Sequence, residues 1–529
     1  MTGQMIKALE LDKIFALFTS EGELMALARN TGLKSESGDI PTLEAEYRRI
    51  SGLIMAFQGT KALRLKLAEI LAHPPVIRIP QPGDLLPQHE LYELKCFLHY
   101  YLQLTELLAS ASLGEPYGFP ELKALYRLLD PDGQKLPTFQ LHSPVYGALA
   151  ELRATQQTQT LKLKHHRQER LQQAREALDN PGLKQIFVVS PSQKELIGKL
   201  EASGYFLRTG ESPSGVNFRL SDGEEGHTLS ARIAGLTAEI KAEEETILRR
   251  LSEKVTAEAS TIRQAFEATL RLAWDYLRAD FALRFDCCIP ELTHERVFIL
   301  KAMTNLPVML RLKEKDRSYQ RLDISFDSTP VNLITGANMG GKTTLLKGIG
   351  QIAQLVRLAI PVPARQARVA VVDAVWTNHN KDTGTEDLSS FGKEVVSLVK
   401  ALKAPGRSLF LLDEFAKGTN PAEGEAICSA VLEHLTATEH LCLAATHFSA
   451  PTKLRPATQY MTAGFDPAFL DSLSRDSELE LRLRRLSEAM DYSLIRLGEN
   501  QDPPHAAISI AKALGLPPEI LTKIPEHLL

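Results

Sequence analysis

Apolar residues recur at two different intervals along this chain, and the change of interval divides it. Through residues 1 to about 285 the interval is that of a helix. Leu91, Leu94, Leu98, Tyr101, Leu102 and Leu108 form one stripe, which Thr105 interrupts. Two runs, 146–179 and 227–280, are longer than an ordinary globular helix. Leu236, Ile240, Ile247, Leu251 and Val255 trace a narrow stripe on the second run. That pattern predicts paired long helices returning antiparallel. Between the two runs, residues 182–225 hold strand-like pieces (QIFVVS, YFLRTG, VNFRLS) among turn residues. They read as a small module at the tip of a helical arm.

From about Glu295 the pattern becomes short apolar runs separated by helical ones. VNLITG (331–336), ARVAVVDAVWT (367–377), SLFLLDE (408–414) and HLCLAAT (440–446) are largely apolar. Strands of a parallel sheet covered on both faces have this character, and helices between them complete an α/β unit. No internal repeat or low-complexity tract is visible.

Composition adds bounds. A chain of 529 residues exceeds one compact core, so about two to four domains are expected. Hydrophobic content of 44%, charged content of 24% and a net charge of -4 describe an ordinary globular protein. Nothing global marks a nucleic-acid binder, although a local basic stripe can suffice. Cys96, Cys287, Cys288, Cys428 and Cys442 show no C-x-x-C spacing. Cys287 and Cys288 read as two small packed side chains rather than a vicinal pair. Such cysteines suit a reducing compartment. The N-terminus lacks a signal-like pattern, and no apolar stretch approaches the ~20 residues that span a bilayer. A soluble cytoplasmic protein with no membrane partner is expected.

Candidate chemistry begins at GANMGGKT, residues 336–343, which satisfies G-x-x-x-x-G-K-[ST]. It follows a predicted strand and opens a predicted helix, the context that motif requires. Gly336, Ala337, Asn338, Met339, Gly340 and Gly341 would wrap backbone N–H groups round phosphate, ahead of a helix N-terminus. Lys342 would reach the β- and γ-phosphates, and the Thr343 hydroxyl, followed by Thr344, would serve Mg²⁺. The bland alternative is a glycine-rich strand–helix turn with an incidental lysine. Against it stands LFLLDE, an apolar strand ending in Asp413 and Glu414. In an open α/β sheet such acids lie at the ligand-binding end. Asp413 would hold Mg²⁺ through water, and Glu414 would polarise the attacking water. His447, just past HLCLAAT, could touch the γ-phosphate, whereas a lone histidine is more often structural. In DLSSFGKE, 387–394, Ser389 or Ser390 stands near a helix N-cap, which suits either plain capping or a phosphate contact. In ATPases of the ABC type the analogous serine approaches nucleotide on the opposite subunit.

Together these segments resemble the MutS family of mismatch-repair ATPases. TGANMGGKTT, SSFGKE, LLDEFAKGTNPAEG and ATHF follow the family patterns GPNMGGKST, STFMVE, DEIGRGTS…DG and ATHY in order and spacing. The likeness is strong over 331–448 and weaker elsewhere. LELDKIFALFTSEGELMALA resembles the opening of the family's helical core, and HAAISIAKALGLPPEILTKI its helical end. The resemblance implies an α + α/β fold: a long-helix core, lever and clamp region, then a P-loop ATPase domain of ABC/MutS type with a mainly parallel sheet. It implies a core and lever region at 1–145 and long arms with a clamp-like tip at 146–285. An ATPase domain with a C-terminal dimerisation segment would follow at 286–529. By the same resemblance Glu414 is the general base, and Lys342, Thr343 and Asp413 serve ATP and Mg²⁺. His447 senses the γ-phosphate, and Ser389 completes the site of a partner in a homodimer.

Departures are equally specific. The family's mismatch-recognition and connector domains, its Phe-x-Glu motif and a nuclease-like C-terminal extension are not expected here. Ala337 replaces proline, Gly392-Lys393 an apolar pair, and Asn420-Pro421 alters the loop after the acids. The aromatic that would stack on adenine has no evident position. Two readings of the driven partner stand. One is a clamp on double-stranded DNA, contacted through the basic run LKLKHHRQER, 161–170, which a solvated helix face explains more simply. The other is a chaperone for a protein client. Short MutS-like proteins are associated with cobalamin-dependent aminomutases, and the DEFAKGTNPAEG loop is similar to theirs. A degenerate, purely structural site conflicts with intact Lys342, Thr343, Asp413 and Glu414.

Overall fold

The computed structural model describes residues 2–141, 145–326, 329–336, 340–378, 389–454, 457–466, 469–470, 473, 482, 485–486, 488–497 and 506–524. Two compact units emerge: Met1–His73 with Glu106–Gly118 and Ala268–Leu529, and Pro74–Thr105 with Phe119–Glu267. The architecture is mixed, α with α/β.

In the second of these units the long helices form as the apolar stripes demand. Helix α1 (Gln88–Ser110) buries Leu91, Leu94, Leu98 and Tyr101, with Leu104 taking a place in the stripe and Leu102 only half-buried. Helices α2 (Gly147–Ala177) and α4 (Gly223–Ala257) run antiparallel. Their cross-links descend in number on one helix as they ascend on the other: Arg153 to Glu244 at 2.6 Å, Gln156 to Thr237 at 2.8 Å. Leu236, Ile240, Ile247, Leu251 and Val255 are all buried. The predicted run 227–280 is two helices, because α4 ends at Ala257 and α5 (Ala259–Phe285) restarts after Glu258. Glu258 N–H closes a tight turn on Val255 O, and its carbonyl then accepts from Ile262. Val255 and Ile262 on either side are both fully buried, so apolar spacing runs through the break unchanged.

The tip module is a three-stranded antiparallel sheet, β1 (Ile186–Val189), β2 (Phe206–Ser212) and β3 (Gly215–Leu220), with β3 central, and helix α3 (Lys194–Ala202). Strand alternation gives it a small core of its own: Val189, Leu200, Phe206, Val216, Phe218 and Leu220, closed by Ala174 and Leu183.

The other unit carries two sheets. A four-stranded one has the order β4 (Glu291–Thr293), β8 (Gln366–Ala370), β5 (Phe298–Met303), β6 (Leu322–Phe326). The six-stranded one is ordered β13 (Asp491–Arg496), β12 (Ala457–Gly464), β7 (Val331–Thr335), β11 (Leu441–Ala445), β10 (Ser408–Asp413), β9 (Ala374–Thr377). All its pairings are parallel except that of β12 with β13. Every residue of β7, β10 and β11 is buried, which is why these strands are continuous apolar runs. Val331, Leu333, Phe410, Leu412, Cys442 and Ala444 pack with Leu398, Leu432 and Leu435 of the covering helices. The run 367–377, expected as one strand, is two strands in different sheets. The chain turns between them at Asp373, whose N–H donates to Arg407 O and whose carboxylate accepts from Arg407 N, both at 2.7 Å. All five cysteines are free. Among the described residues no helix is long and apolar enough to cross a membrane.

Candidate active site

Parallel pairing brings three strand ends to one edge of the six-stranded sheet. Glu414 N–H donates to Ala445 O at 2.9 Å, and Thr446 N–H to Ile334 O at 3.3 Å. The acids after β10, the histidine after β11 and the glycine loop after β7 are thereby neighbours. In this arrangement ligands lie beyond the carboxyl ends of the strands.

The glycine loop is shaped by two positive φ values. Gly336 (φ 120°) passes against Thr462, and Gly341 (φ 75°) caps helix α6 (Lys342–Arg357) under the Tyr492 ring. A Cβ on Gly341 would stand 2.9 Å from that ring, so glycine is required twice over, by conformation and by space. Ala337, Asn338 and Met339 lie outside the described residues. Lys342 is only 5% exposed, and its ammonium donates to Gly336 O at 2.7 Å. Burial pushes that ammonium below its usual range, against the pull of Glu414 and then Asp413. Thr343 is exposed in the first helical turn, with Thr344 half-buried beside it.

Asp413 is 8% exposed. The Asn378 side-chain amide clamps its backbone, accepting from Asp413 N–H and donating to Asp413 O, each at 2.9 Å. Glu414 turns sharply, with φ 50°, and Ala416 follows at φ 64°. Left-handed backbone at a residue bearing Cβ costs roughly 1–2 kcal/mol, so two in three residues mark a loop held by its surroundings. The Glu414 Oε1 accepts from His447 Nε2 at 2.9 Å, and Oε2 pairs with Lys417 Nζ. Burial raises the Glu414 carboxyl, but Lys417 and His447 outweigh it and leave the group below its ordinary value. Burial, then Lys342, lowers His447 despite the opposing Glu414. Nε2 carries a hydrogen toward Glu414, because a carboxylate can only accept.

Residues 332–525 match the family model for MutS domain V. The chain carries a domain of the MutS family. Endonuclease MutS2 of Symbiobacterium thermophilum is 31% identical over 210 residues, 39% of this chain and 26% of that protein. DNA mismatch repair protein Msh3 of Homo sapiens is 28% identical over 251 residues, 46% of this chain and 22% of that protein. Endonuclease MutS2 of Agathobacter rectalis is 29% identical over 232 residues, covering 42% and 28% respectively. The chain spans about a quarter of the length of these curated relatives.

Within this MutS domain V, Ser389 is the N-cap of helix α7 (Ser390–Leu402), its Oγ accepting from Gly392 N–H at 3.1 Å. The same helix steadies the acid loop, since Glu394 accepts from Ala416 N–H at 3.4 Å. Sequence reasoning missed Glu394, Asn378 and Lys417. Glu394 and Lys417 stand inside the quoted segments SSFGKE and DEFAKGT, but their roles depend on the loop's turn, which no spacing reveals. A cavity of about 490 Å³ adjoins the loop, lined among others by Gly340, Gly341, Thr344, Tyr319 and Tyr492. Tyr319 OH accepts from Asn305 N–H at 2.8 Å, and Gln320 Oε1 accepts from Tyr492 N–H at 3.0 Å. These contacts fix two aromatic walls beside the glycine loop.

Proposed function

We propose that this MutS domain V binds ATP with Mg²⁺, hydrolyses it as a homodimer, and couples hydrolysis to engagement of DNA. One observation carries the catalytic part: Glu414, oriented by His447, lies beside Lys342 and Asp413 at the mouth of a glycine loop. Lys342, released from the Gly336 carbonyl, would donate to phosphate. Thr343 and Asp413 offer a hydroxyl and a carboxylate, oxygen donors that suit Mg²⁺, a cation that shares phosphate and keeps most of its waters. That ion would neutralise phosphate charge. Glu414 would accept a hydrogen bond from the attacking water, and His447 would hold its carboxylate in place. Tyr319 and Tyr492 fit the walls of a base pocket. Ser389, at an exposed helix N-terminus, would act on the partner's nucleotide.

The test is uptake of a fluorescent ATP analogue by purified protein with magnesium, followed by phosphate release. Failure to take up adenine nucleotide overturns the reading. For Ser389, mixing Ser389→Arg with Lys342→Ala protein should restore part of the activity lost in each. No recovery despite verified subunit exchange counts against action in trans.

The DNA part is supported by relatives named as a DNA mismatch repair protein and as endonucleases. A second reading, a protein client, is favoured by the fate of the basic run. His166 contacts Asp222 O, Arg167 holds the Asp222 carboxylate, and Arg170 donates to Ser221 O. These side chains secure the arm's own tip. Binding to duplex, branched and mismatched DNA over a salt titration separates the readings, since phosphate contacts give steep salt dependence.

A further inference from the structure

The segment DEFAKGT holds one cation, Lys417, that the catalytic scheme leaves unused. It lies three residues beyond Glu414, in a turn closed by Lys417 N–H on Glu414 O at 3.3 Å. The left-handed backbone at Glu414 and Ala416 folds this turn back, so that Lys417 Nζ meets the carboxylate oxygen opposite the one His447 holds. Resting on the ATPase reading, we infer that Lys417 is a positioning residue shared between two anions: the Glu414 carboxylate and the terminal phosphate of a nucleoside triphosphate.

Three features support the exchange. The Lys417 side chain is 67% exposed and that of Glu414 28%, and ion pairs with so exposed a partner are weakly held. A lysine is a point charge on a flexible stem with three donors, able to change partners without backbone movement. Its field also reaches the residues that would hold the phosphate, for it adds to the lowering of both Lys342 and His447. A terminal phosphate offers more charge and more acceptor oxygens than one carboxylate, so it competes for the ammonium. Transfer of Lys417 leaves Glu414 Oε2 open to water, with Oε1 still oriented by His447. The loop itself stays in place, because Glu394 holds Ala416 N–H independently of Lys417.

The experiment compares equilibrium affinities for ADP and a non-hydrolysable ATP analogue, each with magnesium, in wild type, Lys417→Met and Lys417→Arg. Lys417→Met should weaken the triphosphate analogue about tenfold, the worth of one charge-assisted contact, while ADP affinity is unchanged. Lys417→Arg should recover most of the difference. In Glu414→Gln protein the competitor carboxylate is gone, so the analogue binds more tightly, and adding Lys417→Met should cancel that gain. Equal weakening of both nucleotides, no weakening of either, or strictly additive effects in the double variant overturns the inference alone. Wild-type protein that takes up neither nucleotide overturns the ATPase reading and this inference together.

Discussion

Basic residues at the candidate site and those along the arm are held in different ways. In the MutS domain V, the Lys342 ammonium donates to Gly336 O, and that of Lys417 pairs with the Glu414 carboxylate. Both lysines lie at the candidate site. In the arm, Arg167 makes two bonds to Asp222, at 2.7 and 2.6 Å, and Arg175 two to Leu183 O, at 2.9 and 2.7 Å. Arg170 reaches Ser221 O and Gly204 O while lying over the Tyr205 ring at 5.1 Å. A planar fork held by two or more bonds is a structural fastening, whereas an ammonium on a flexible stem can change partners. A run of basic letters therefore says little until the oxygens opposite are known.

The comparison breaks first if the site lysine proves structural. We predict that Lys342→Ala abolishes ATP uptake with little change in folding. Glu414→Gln should keep nucleotide and lose turnover by about 10²–10⁴-fold, the usual worth of a general base. Phosphate release and fluorescent-nucleotide titration measure both. Full turnover in either variant removes the catalytic assignment.

Next in size is the tip module, whose core is its own. Phe218 is fully buried in it, and Phe218→Ala should destabilise the module by about 3–5 kcal/mol. Hydrogen exchange should show faster opening over β1, β2 and β3, with ATP affinity unchanged. Weakened nucleotide binding would show that the arm and the site are not independent.

Arg167→Ala sharpens the distinction at lower energy. Asp222 accepts both bonds, and its carboxyl is held below its usual range by Arg167 despite burial. With Arg167 40% exposed, solvent screening limits the loss to about 1 kcal/mol. The variant should open locally near Asp222 and leave the salt dependence of any DNA binding unaltered. A salt slope reduced by about one would reassign Arg167 to phosphate contact.

How far the letters alone carried this picture depends on what each residue touches. β7, β10 and β11 were legible because both faces are buried and nearly every position is apolar. β12 and β13 were not, since ATQYMTAG and DYSLIR mix small polar residues on a sheet margin. The α4–α5 break at Glu258 was hidden by apolar periodicity on both sides. Lys342, Asp413, Glu414 and His447 could be named because strand ends and a glycine motif place them. Asn378 and Glu394 could not, because they act through backbone groups of Asp413 and Ala416. Tyr319 and Tyr492 come from distant segments, and only folding brings them to one cavity.

The smallest effect concerns a third use of lysine, in which Lys347 of α6 ties down the N-terminal segment. Glu10 (φ 56°) joins two short helices, Gly3–Ala8 and Leu11–Phe15. Its carboxylate takes Lys13 at 2.6 Å and Lys347 at 2.9 Å, and Gln351 of the same helix donates to Leu9 O. Burial raises the Glu10 carboxyl, but the two lysines overcome it and bring the pKa from 4.5 to about 2. A folded value below the unfolded one means the ionised form is preferred in the native state. Its stabilisation is therefore fully present above 4.5 and is lost as pH falls through about 2. Glu10→Gln removes that titration. Urea midpoints of wild type and variant should differ at neutral pH and draw together across this acid window. A gap that stays constant with pH would show that ionisation of Glu10 is not the source of the stabilisation.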